Sequence, residues 1–381
     1  MMEHEILLCV ARKHADRARL RELLRHSLDW DYLFSTASSH GLIPLLHKHL
    51  HSTCADLAPI NFLSCLKRES VANTQNVLHL FAKQLKLYRL LQANDIPTAI
   101  FKGSLLAQMA YGEIALRHAG DIDVLISRAH FARARKLLES LGYQMMPSLT
   151  PAQLSSHLNT HCEIQFVRDD WFTVVDLHWG LAPKSFVFKM ETEDVLTRLQ
   201  RVSVAGVEFE TLATEDLILY QAMHGAKHLW RRLEWISALG ETIRAADSID
   251  WDTVLRRAAD AHATRMLALG LQLAERVSNI SVPAPIDNYR SMADEILARI
   301  FDVSGPADST ETNLYNLKIM DRKRDALVSA LRAIFVPTLT DWSSLHLPSS
   351  LHPLYYAYRP LRLSKIYSAS LWQKLISRGA A

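Results

Sequence analysis

Residues 101–126 read FKGSLLAQMAYGEIALRHAGDIDVLI, and this stretch decides the fold of the central part of the chain. The segment IPTAIFKG, at residues 96–103, overlaps the start of this stretch. Its β-branched and aromatic residues follow a turn signal and predict a buried strand. SLLAQMAYG predicts a short helix that ends near Gly112, EIALRHAG a loop, and DIDVLI a second strand. Because side chains alternate along a strand, Asp121, Asp123 and Leu125 are predicted to share one face.

The pattern changes on either side of this stretch. RAHFARARKLLESLG predicts a helix capped by Ser127, and further strands are predicted in CEIQFV, WFTVVDLHW and VEFETL. Residues 1–95 and 214–381 instead show apolar positions at helical spacing, including LILYQAMHGAKHLWRRLEWISALGETIRAAD and WDTVLRRAADAHATRMLALGLQLAERV, each predicted as one helix. We therefore predict an α+β protein: a small mixed sheet with flanking helices at 96–213, between a helical N-terminal arm and a helical C-terminal half.

Composition limits the class of protein. The chain has 381 residues, of which 49% are apolar and 22% charged, which is typical of a soluble protein with two or three packed units. A net charge of +3 is too weak to indicate a nucleic-acid binder, although it permits a local basic groove. The four cysteines form no C-x-x-C pair, and neither a signal peptide nor a membrane-spanning run is visible. We expect a cytoplasmic location and no membrane span.

Asp121 and Asp123 are the strongest chemical signal. Two aspartates at i and i+2 of a strand project side by side, and Mg²⁺ is commonly held by one or two carboxylates together with substrate phosphates. Asp176, inside the apolar strand VVDLHW, is a candidate third ligand, because an unpaired charge there would be costly. The three residues predict a Mg²⁺ or Mn²⁺ site for phosphoryl or nucleotidyl transfer. The alternative is a solvated strand end, since a D-x-D triplet also occurs by chance.

These motifs resemble the core of the polymerase-β-like nucleotidyltransferase superfamily, in which a glycine-serine turn opens a helix and a D-x-D strand follows. More closely, the chain resembles the bacterial uncharacterised nucleotidyltransferase family. The matching motifs are Lys102-Gly103, Arg117, Asp121-Ile122-Asp123, Asp176-Leu177-His178-Trp179 and the segment from His224 to His228. Sixteen residues separate Ser104 from Asp121, more than is usual in the superfamily, so the loop that carries Arg117 is an elaboration.

The resemblance implies an enzyme that moves a nucleoside monophosphate from a nucleoside triphosphate to an acceptor hydroxyl and releases pyrophosphate. It also implies that Gly103 and Ser104 direct backbone N–H groups at the triphosphate, while Lys102 and Arg117 contact phosphates. The alternatives are an ordinary strand-to-helix turn, a surface lysine, and an arginine paired with a nearby aspartate.

Histidines and a lysine supply further candidates. His178 shares a strand face with Asp176, so it could orient that carboxylate, transfer a proton, or be a satisfied core histidine. His224, Lys227 and His228 lie at i, i+3 and i+4 of a predicted helix, and we expect Lys227, with His224 beside it, to hold nucleotide phosphates. A zinc-protease pair is disfavoured, because Gly225 stands where that motif needs glutamate.

Two other functions stay open. The fold could serve a non-catalytic nucleotide-binding or interaction protein, or a transferase directed at RNA such as a tRNA end. The acceptor, whether small molecule, peptide, protein or RNA, and the choice of nucleotide, ATP included, are not decided by the sequence. The interleaved basic and aromatic residues at 230–235 could stack on a base, but a tryptophan pair at helical spacing is more often core. The basic runs at 322–324 and 359–374 could meet nucleic acid or a membrane surface, but such runs are more often solvated faces.

Overall fold

A computed structural model describes residues 1–168, 173–282, 289–302 and 309–366. The predicted connection at Asp169-Asp170, the prolines at 283, 285 and 306, and the tail beyond residue 366 lie outside the described residues. In the described part of the chain, no helix is both long enough and apolar enough to cross a membrane.

The N-terminal arm is helical, as predicted. Asp16 and Asp29 cap its second and third helices by accepting hydrogen bonds from the amides of Arg19 and Tyr32, which satisfies N–H groups that have no partner within the helix. The five helices are α1 (Met2–Val10), α2 (Arg17–Leu23), α3 (Trp30–Ser39), α4 (Ile43–Thr53) and the long α5 (Ile60–Gln92).

A small mixed sheet forms the centre of the molecule, which confirms the predicted fold class. Its strands are β1 (Thr98–Ile100), β2 (Ile122–Ile126), β3 (Gln144–Met146), β4 (Glu163–Val167) and β5 (Val174–His178). They are arranged in the order β1-β2-β5-β4-β3. Strands β2 and β5 run parallel, and the other neighbouring pairs run antiparallel. The parallel pair is the part of the sheet that matters for the site.

Short elements connect these strands. Helix α6 (Gly103–Tyr111) lies between β1 and β2 in the chain and ends at Gly112. Helix α7 (Phe131–Ser140) follows a 3-10 turn in which the Ala129 amide donates to Ser127 Oγ. The loop at EIALRHAG contains a 3-10 turn at Ile114–Leu116. Four elements were not predicted from the sequence: β3, helices α8 (Pro151–Thr160) and α9 (Thr192–Leu196), and strand β6 (Gln200–Val204), which pairs with the predicted β7 (Val207–Thr211).

The C-terminal half is helical, as predicted. It contains α10 (Thr214–Lys227), α11 (Leu233–Ala245), α12 (Trp251–Asp260), α13 (Thr264–Ser278), α14 (Arg290–Arg299), α15 (Ser309–Ile319), α16 (Lys323–Phe335) and α17 (Leu339–Ser344), and residues 355–366 are also helical.

Two predictions of single long helices were wrong. The first helix breaks after Lys227, where Leu229 and Trp230 adopt φ values of 56° and 52°, and the second breaks at His262 with a φ of 56°. The first break buries the Trp230 ring completely, against Gly225 and Gly270. A regular helix would not place this ring in the core, so tertiary packing overrides the local pattern.

Helices cover the sheet on both faces. The face that carries Val124, Ile126 and Phe166 joins α5 and α7 in one buried apolar cluster. On the other side, Tyr220 of α10 lies with its ring centre 5.0 Å from that of Phe101, which directly follows β1. Helix α10 therefore lies beside the polar residues of β2 and β5, and this placement forms the site described next.

Candidate active site

Asp123 and Asp176 lie opposite each other on the parallel strands β2 and β5. They are register partners, and ligand atoms of Asp123, Asp176 and His178 all lie within 4.8 Å of one another. Asp176 Oδ1 is buried, and no described residue donates a hydrogen bond to it. The structure thus brings together two of the three predicted carboxylates, with one oxygen still lacking a partner.

Of the three predicted carboxylates, Asp123 is the one held by hydrogen bonds from charged side chains. Its Oδ1 accepts from Lys102 Nζ at 2.6 Å and from His178 Nε2 at 2.9 Å, and its side chain is only 2% exposed. Burial alone would raise the pKa of Asp123, but Lys102 and His178 lower it to about 2. Lys102 is therefore not a surface lysine, which was the alternative to a phosphate contact. Asp123 carries a full negative charge at neutral pH.

Asp121 behaves differently from Asp123. It directly precedes β2, which begins at Ile122, and it does not belong to the group of ligand atoms within 4.8 Å. Burial and the negative charges of Asp123 and Asp176 raise the pKa of Asp121 to about 7. Burial and Asp123 also raise the pKa of Asp176. Like charges therefore repel one another here, which a bound cation would relieve.

His178 connects the carboxylate pair to a residue that the sequence did not single out, Glu163 of β4. His178 Nδ1 lies 3.0 Å from Glu163 Oε2, and the imidazole is 2% exposed. Burial opposes a charge on His178, but hydrogen bonds to Asp123, Cys162 and Glu163 raise its pKa well above the usual value. Glu163 alternates with the buried Ile164 on β4, and that alternation was the available signal. His178 thus orients Asp123 from the side.

The turn before α6 has the expected helix start. Gly103 adopts a φ of 53°, in the left-handed region that favours glycine, and an added Cβ would lie 3.8 Å from the Asp121 carbonyl oxygen. The first N–H groups of α6 have no acceptor within the helix. Ser104 Oγ donates to Gln84 Oε1 of α5 at 3.1 Å, so its hydroxyl is bound to the protein. Any contact of Ser104 with a phosphate would use its backbone amide.

Arg117 lies in the loop before β2, where its charge lowers the pKa of Asp121 and of the nearby His224. Its Nε is buried without a hydrogen-bond partner, and it forms no ion pair with any residue in the described ranges. The alternative of an arginine paired with an aspartate is thus not what the structure contains.

The predicted stripe of α10 faces the same site. The charge of Lys227 lowers the pKa of Glu163. Burial and the charges of Lys102, His228 and Lys227 lower the pKa of His224 well below its usual value, so that imidazole is neutral at physiological pH. Helix α10 ends at Lys227, and the rings of His224 and His228 lie 4.7 Å apart between centres.

A profile of the family described as "Uncharacterised nucleotidyltransferase" matches residues 26–279, which is more than half of the chain. The chain belongs to this family. No curated protein matches it. Among solved structures, one described as "Solution Structure of Antibiotic-Resistance Factor ANT(2'')-Ia Reveals Substrate-Regulated Conformation Dynamics" is similar, with 16% identity over 49% of this chain and 91% of that chain. Its TM-score is 0.32, which is too low to support an argument.

The donor set of this site fits a divalent cation. Mg²⁺ and Mn²⁺ prefer carboxylate oxygens, and here Asp176 Oδ1 lacks a partner while Asp121 and Asp176 both have raised pKa values. Among the described residues, Cys162, Glu163 and His178 form a second group whose ligand atoms lie within 4.8 Å of one another. In that group His178 bonds to both Asp123 and Glu163, so its ring nitrogens are already used.

Other residues singled out in the sequence have structural roles. Trp230 is fully buried, and Arg232 lies 3.1 Å from Glu234, so neither is presented for stacking on a base. Arg359 and Arg362, from the predicted basic tail, bind the two oxygens of the buried Asp341 at 2.8 and 2.6 Å. For these two arginines the interpretation as a solvated or partner-binding face was wrong, because they hold α17 against the helix at 355–366.

Proposed function

We propose that this protein is a metal-dependent nucleotidyltransferase that moves a nucleoside monophosphate from a nucleoside triphosphate to an acceptor hydroxyl, with release of pyrophosphate. One observation carries the proposal: Asp123 and Asp176 are opposed on two parallel strands, and an unpartnered carboxylate oxygen lies beside Asp121 and Asp123. Membership of a nucleotidyltransferase family supports this class of reaction.

Asp121, Asp123 and Asp176 are the residues that would hold Mg²⁺ or Mn²⁺. When bound, the ion supplies charge neutralisation on the triphosphate and polarisation of the phosphoryl oxygens. The raised pKa values of Asp121 and Asp176 support this role, because each carboxylate in the cluster disfavours ionisation of the next unless a cation is present.

Four cationic or N–H donor groups would bind the phosphates. The free amides at the start of α6 give a positive helix end, and Gly103 permits close approach of the backbone. Arg117 and Lys227, which form no ion pair with any described residue, supply further positive charges near the site, and Lys102 stays protonated beside Asp123. His224 is neutral and would donate or accept a hydrogen bond there without adding charge.

The acceptor step needs a base near the reacting oxygen. Asp176 is suited to this role as the alternative to holding the cation, because its pKa is raised and its Oδ1 accepts no hydrogen bond from a described residue. The acceptor hydroxyl would give its proton to this oxygen while its own oxygen forms a bond to the α-phosphorus. The bond from the α-phosphorus to the bridging oxygen then breaks, and pyrophosphate leaves with the electron pair.

Label tracking tests the proposal directly. The protein is incubated with Mg²⁺, cell extract and each nucleoside triphosphate, labelled either at the α- or the γ-phosphate. We expect a labelled acceptor from the α-label alone. Transfer of the γ-label would indicate a phosphotransferase and overturn the proposal. Digestion of the product with nuclease, protease or neither then separates RNA, protein and small-molecule acceptors.

A second function is favoured by one specific observation. Asp123 Oδ1 already accepts from both Lys102 and His178, so its charge is balanced by the protein itself, as a nucleotide-binding protein without catalysis could tolerate. Calorimetry with ATP and Mg²⁺ together with the label experiment distinguishes the two. Tight nucleotide binding with no labelled product in any extract would favour the binding protein.

A further inference from the structure

A cavity lies beyond the carboxyl end of β5, with a volume of about 600 Å³. The loop from Trp179 to Glu193 forms one wall, and α16 with the residues just before it forms the other. None of Asp121, Asp123 and Asp176 lines it, and neither do the phosphate-binding candidates Lys102 and Lys227. The cavity is therefore distinct from the proposed nucleotide site, and its size suits a small molecule.

Hydrogen bonds and apolar packing hold the loop that forms the first wall of this cavity. The amide of Lys184 bonds to the Thr160 carbonyl at 3.0 Å, and the amide of Lys189 bonds to the Ala261 carbonyl at 2.9 Å. Arg332 Nη1 donates to the Lys184 carbonyl at 2.6 Å. Phe186 and Val187, on the same loop, are buried in the large apolar cluster. The loop is thus anchored to α8, to the residue after α12 and to α16, and the cavity is preformed.

The lining is strongly cationic. Six basic side chains line the cavity, namely Arg128, Lys184, Lys189, Arg322, Arg324 and Arg332. They are opposed by three carboxylates, of which Asp325 is already bound to His262 at 2.8 Å and Glu193 accepts from Ser127 Oγ at 3.0 Å. The cavity lining therefore has a net charge of +3, which equals the net charge of the whole chain.

Four of these cations are available to a ligand. Within the described ranges, Lys184, Lys189, Arg322 and Arg324 form neither an ion pair nor a side-chain hydrogen bond. Two come from the loop and two from the start of α16, so they approach the cavity from both walls. Like charges placed this way repel, and a bound polyanion would remove that repulsion while gaining charge-assisted hydrogen bonds.

We propose that this cavity is a second ligand site, which binds a small molecule carrying two or more phosphate groups. Two phosphate groups match the two pairs of cations on the facing walls, and arginine guanidinium groups bind phosphate oxygens in a bidentate manner. The volume accommodates a phosphorylated metabolite and is too small for a folded nucleic acid. The site extends the protein's chemistry beyond the proposed transfer of a nucleotide.

Calorimetry with inorganic tripolyphosphate, in EDTA to suppress metal-assisted binding at the carboxylates, tests the proposal. The sequence offers a matched control, because Lys323 lies between Arg322 and Arg324, is exposed and does not line the cavity. We expect the double variant R322S/R324S to weaken binding at least about tenfold and K323S to change it less than about twofold. K189S, on the facing wall, should also weaken binding, which covers the case that the double variant fails to fold.

Three outcomes would overturn the proposal. Equal weakening by K323S and R322S/R324S would indicate diffuse surface attraction. Loss of binding in K227S with no effect of R322S/R324S would place the anion in the nucleotide site. Absence of tripolyphosphate binding, combined with salt-dependent binding of an RNA oligonucleotide that R322S/R324S abolishes, would make this face a nucleic-acid surface.

Discussion

Asp123 and Asp176 are register partners on adjacent parallel strands, yet their surroundings give them opposite acid–base character. Lys102 and His178 hold the pKa of Asp123 at about 2, while burial and the charge of Asp123 raise the pKa of Asp176. One carboxylate is thus charged at neutral pH, and the other retains an oxygen that accepts no hydrogen bond from a described residue. This asymmetry separates a firmly held carboxylate from one that is free for a cation or a proton.

Asp176→Asn should abolish transfer without loss of stability. The amide removes a charge that Asp123 repels, so we expect an unchanged or higher free energy of unfolding. Transfer should fall by more than about a hundredfold, because even outer-shell partners of a metal are worth about ten- to a hundredfold. Label transfer and chemical denaturation measure the two effects. The control is Asp252→Asn, an exposed carboxylate on α12, and wild-type transfer by Asp176→Asn would contradict the assignment.

His178→Gln should impair transfer because glutamine cannot bridge Asp123 and Glu163 as the imidazole does. We expect a loss of about ten- to a hundredfold in kcat/KM and a higher Mg²⁺ concentration for half-maximal rate. A metal titration of the initial rate measures both quantities. The exposed His26→Gln serves as the control. An unaltered metal requirement would show that His178 only fills space.

The substitution Gly103→Ala tests whether the backbone conformation at the start of α6 is needed for nucleotide binding. Gly103 has a φ of 53°, so alanine there should cost about 1–2 kcal/mol and displace the first amides of α6. Gly206→Ala is a matched control, since Gly206 also has a positive φ, 78°, and an added Cβ meets nothing within 4 Å. Both variants should lose similar stability, but only Gly103→Ala should weaken nucleotide binding, as calorimetry with ATP would show. Equal affinities in the two variants would remove the α6 turn from the site.

Gly225→Ala should destabilise the break between α10 and α11. A Cβ at residue 225 would come within 2.3 Å of the Trp230 ring, which is buried and cannot move aside. We expect a loss of about 1–3 kcal/mol, typical of overpacking. In a Trp230→Leu background the same change should cost much less, because the ring is gone. A double-mutant cycle from urea unfolding measures this coupling, and additive effects would refute the contact.

Asp341→Asn should loosen the C-terminal helices in a pH-dependent way. Burial opposes ionisation of Asp341, but hydrogen bonds from Thr338, Arg359 and Arg362 lower its pKa below the ordinary 3.8. The stabilisation is therefore fully present above pH 3.8 and is lost as the pH falls through the lower folded value. The variant should lose about 3–5 kcal/mol at pH 7, and its deficit relative to wild type should shrink below about pH 4. A deficit that grows towards acid pH would disprove this.

Several features of the fold were predictable because they depend on local signals. The strand at DIDVLI, the helix that Gly112 ends and the cap at Ser127 all follow from periodicity and from residues with special backbone properties. The breaks at Leu229, Trp230 and His262 were not predictable, because the apolar pattern is continuous across them. Only the burial of Trp230 against Gly225 and Gly270, which are distant in sequence from each other, explains the first break.

The sequence by itself determined the α+β class, the family and the presence of Asp121, Asp123 and Asp176 in or directly before strand segments, since these depend on alternation and motif order. The tertiary structure decided which strands are neighbours, and hence that Asp123 opposes Asp176, that His178 reaches Glu163, and that Lys102 pairs with Asp123. It also gathered Lys184, Lys189, Arg322 and Arg324 around one cavity. The physical reason is that charge interactions act through space, so residues far apart in sequence set each other's pKa values only once packing has brought them together.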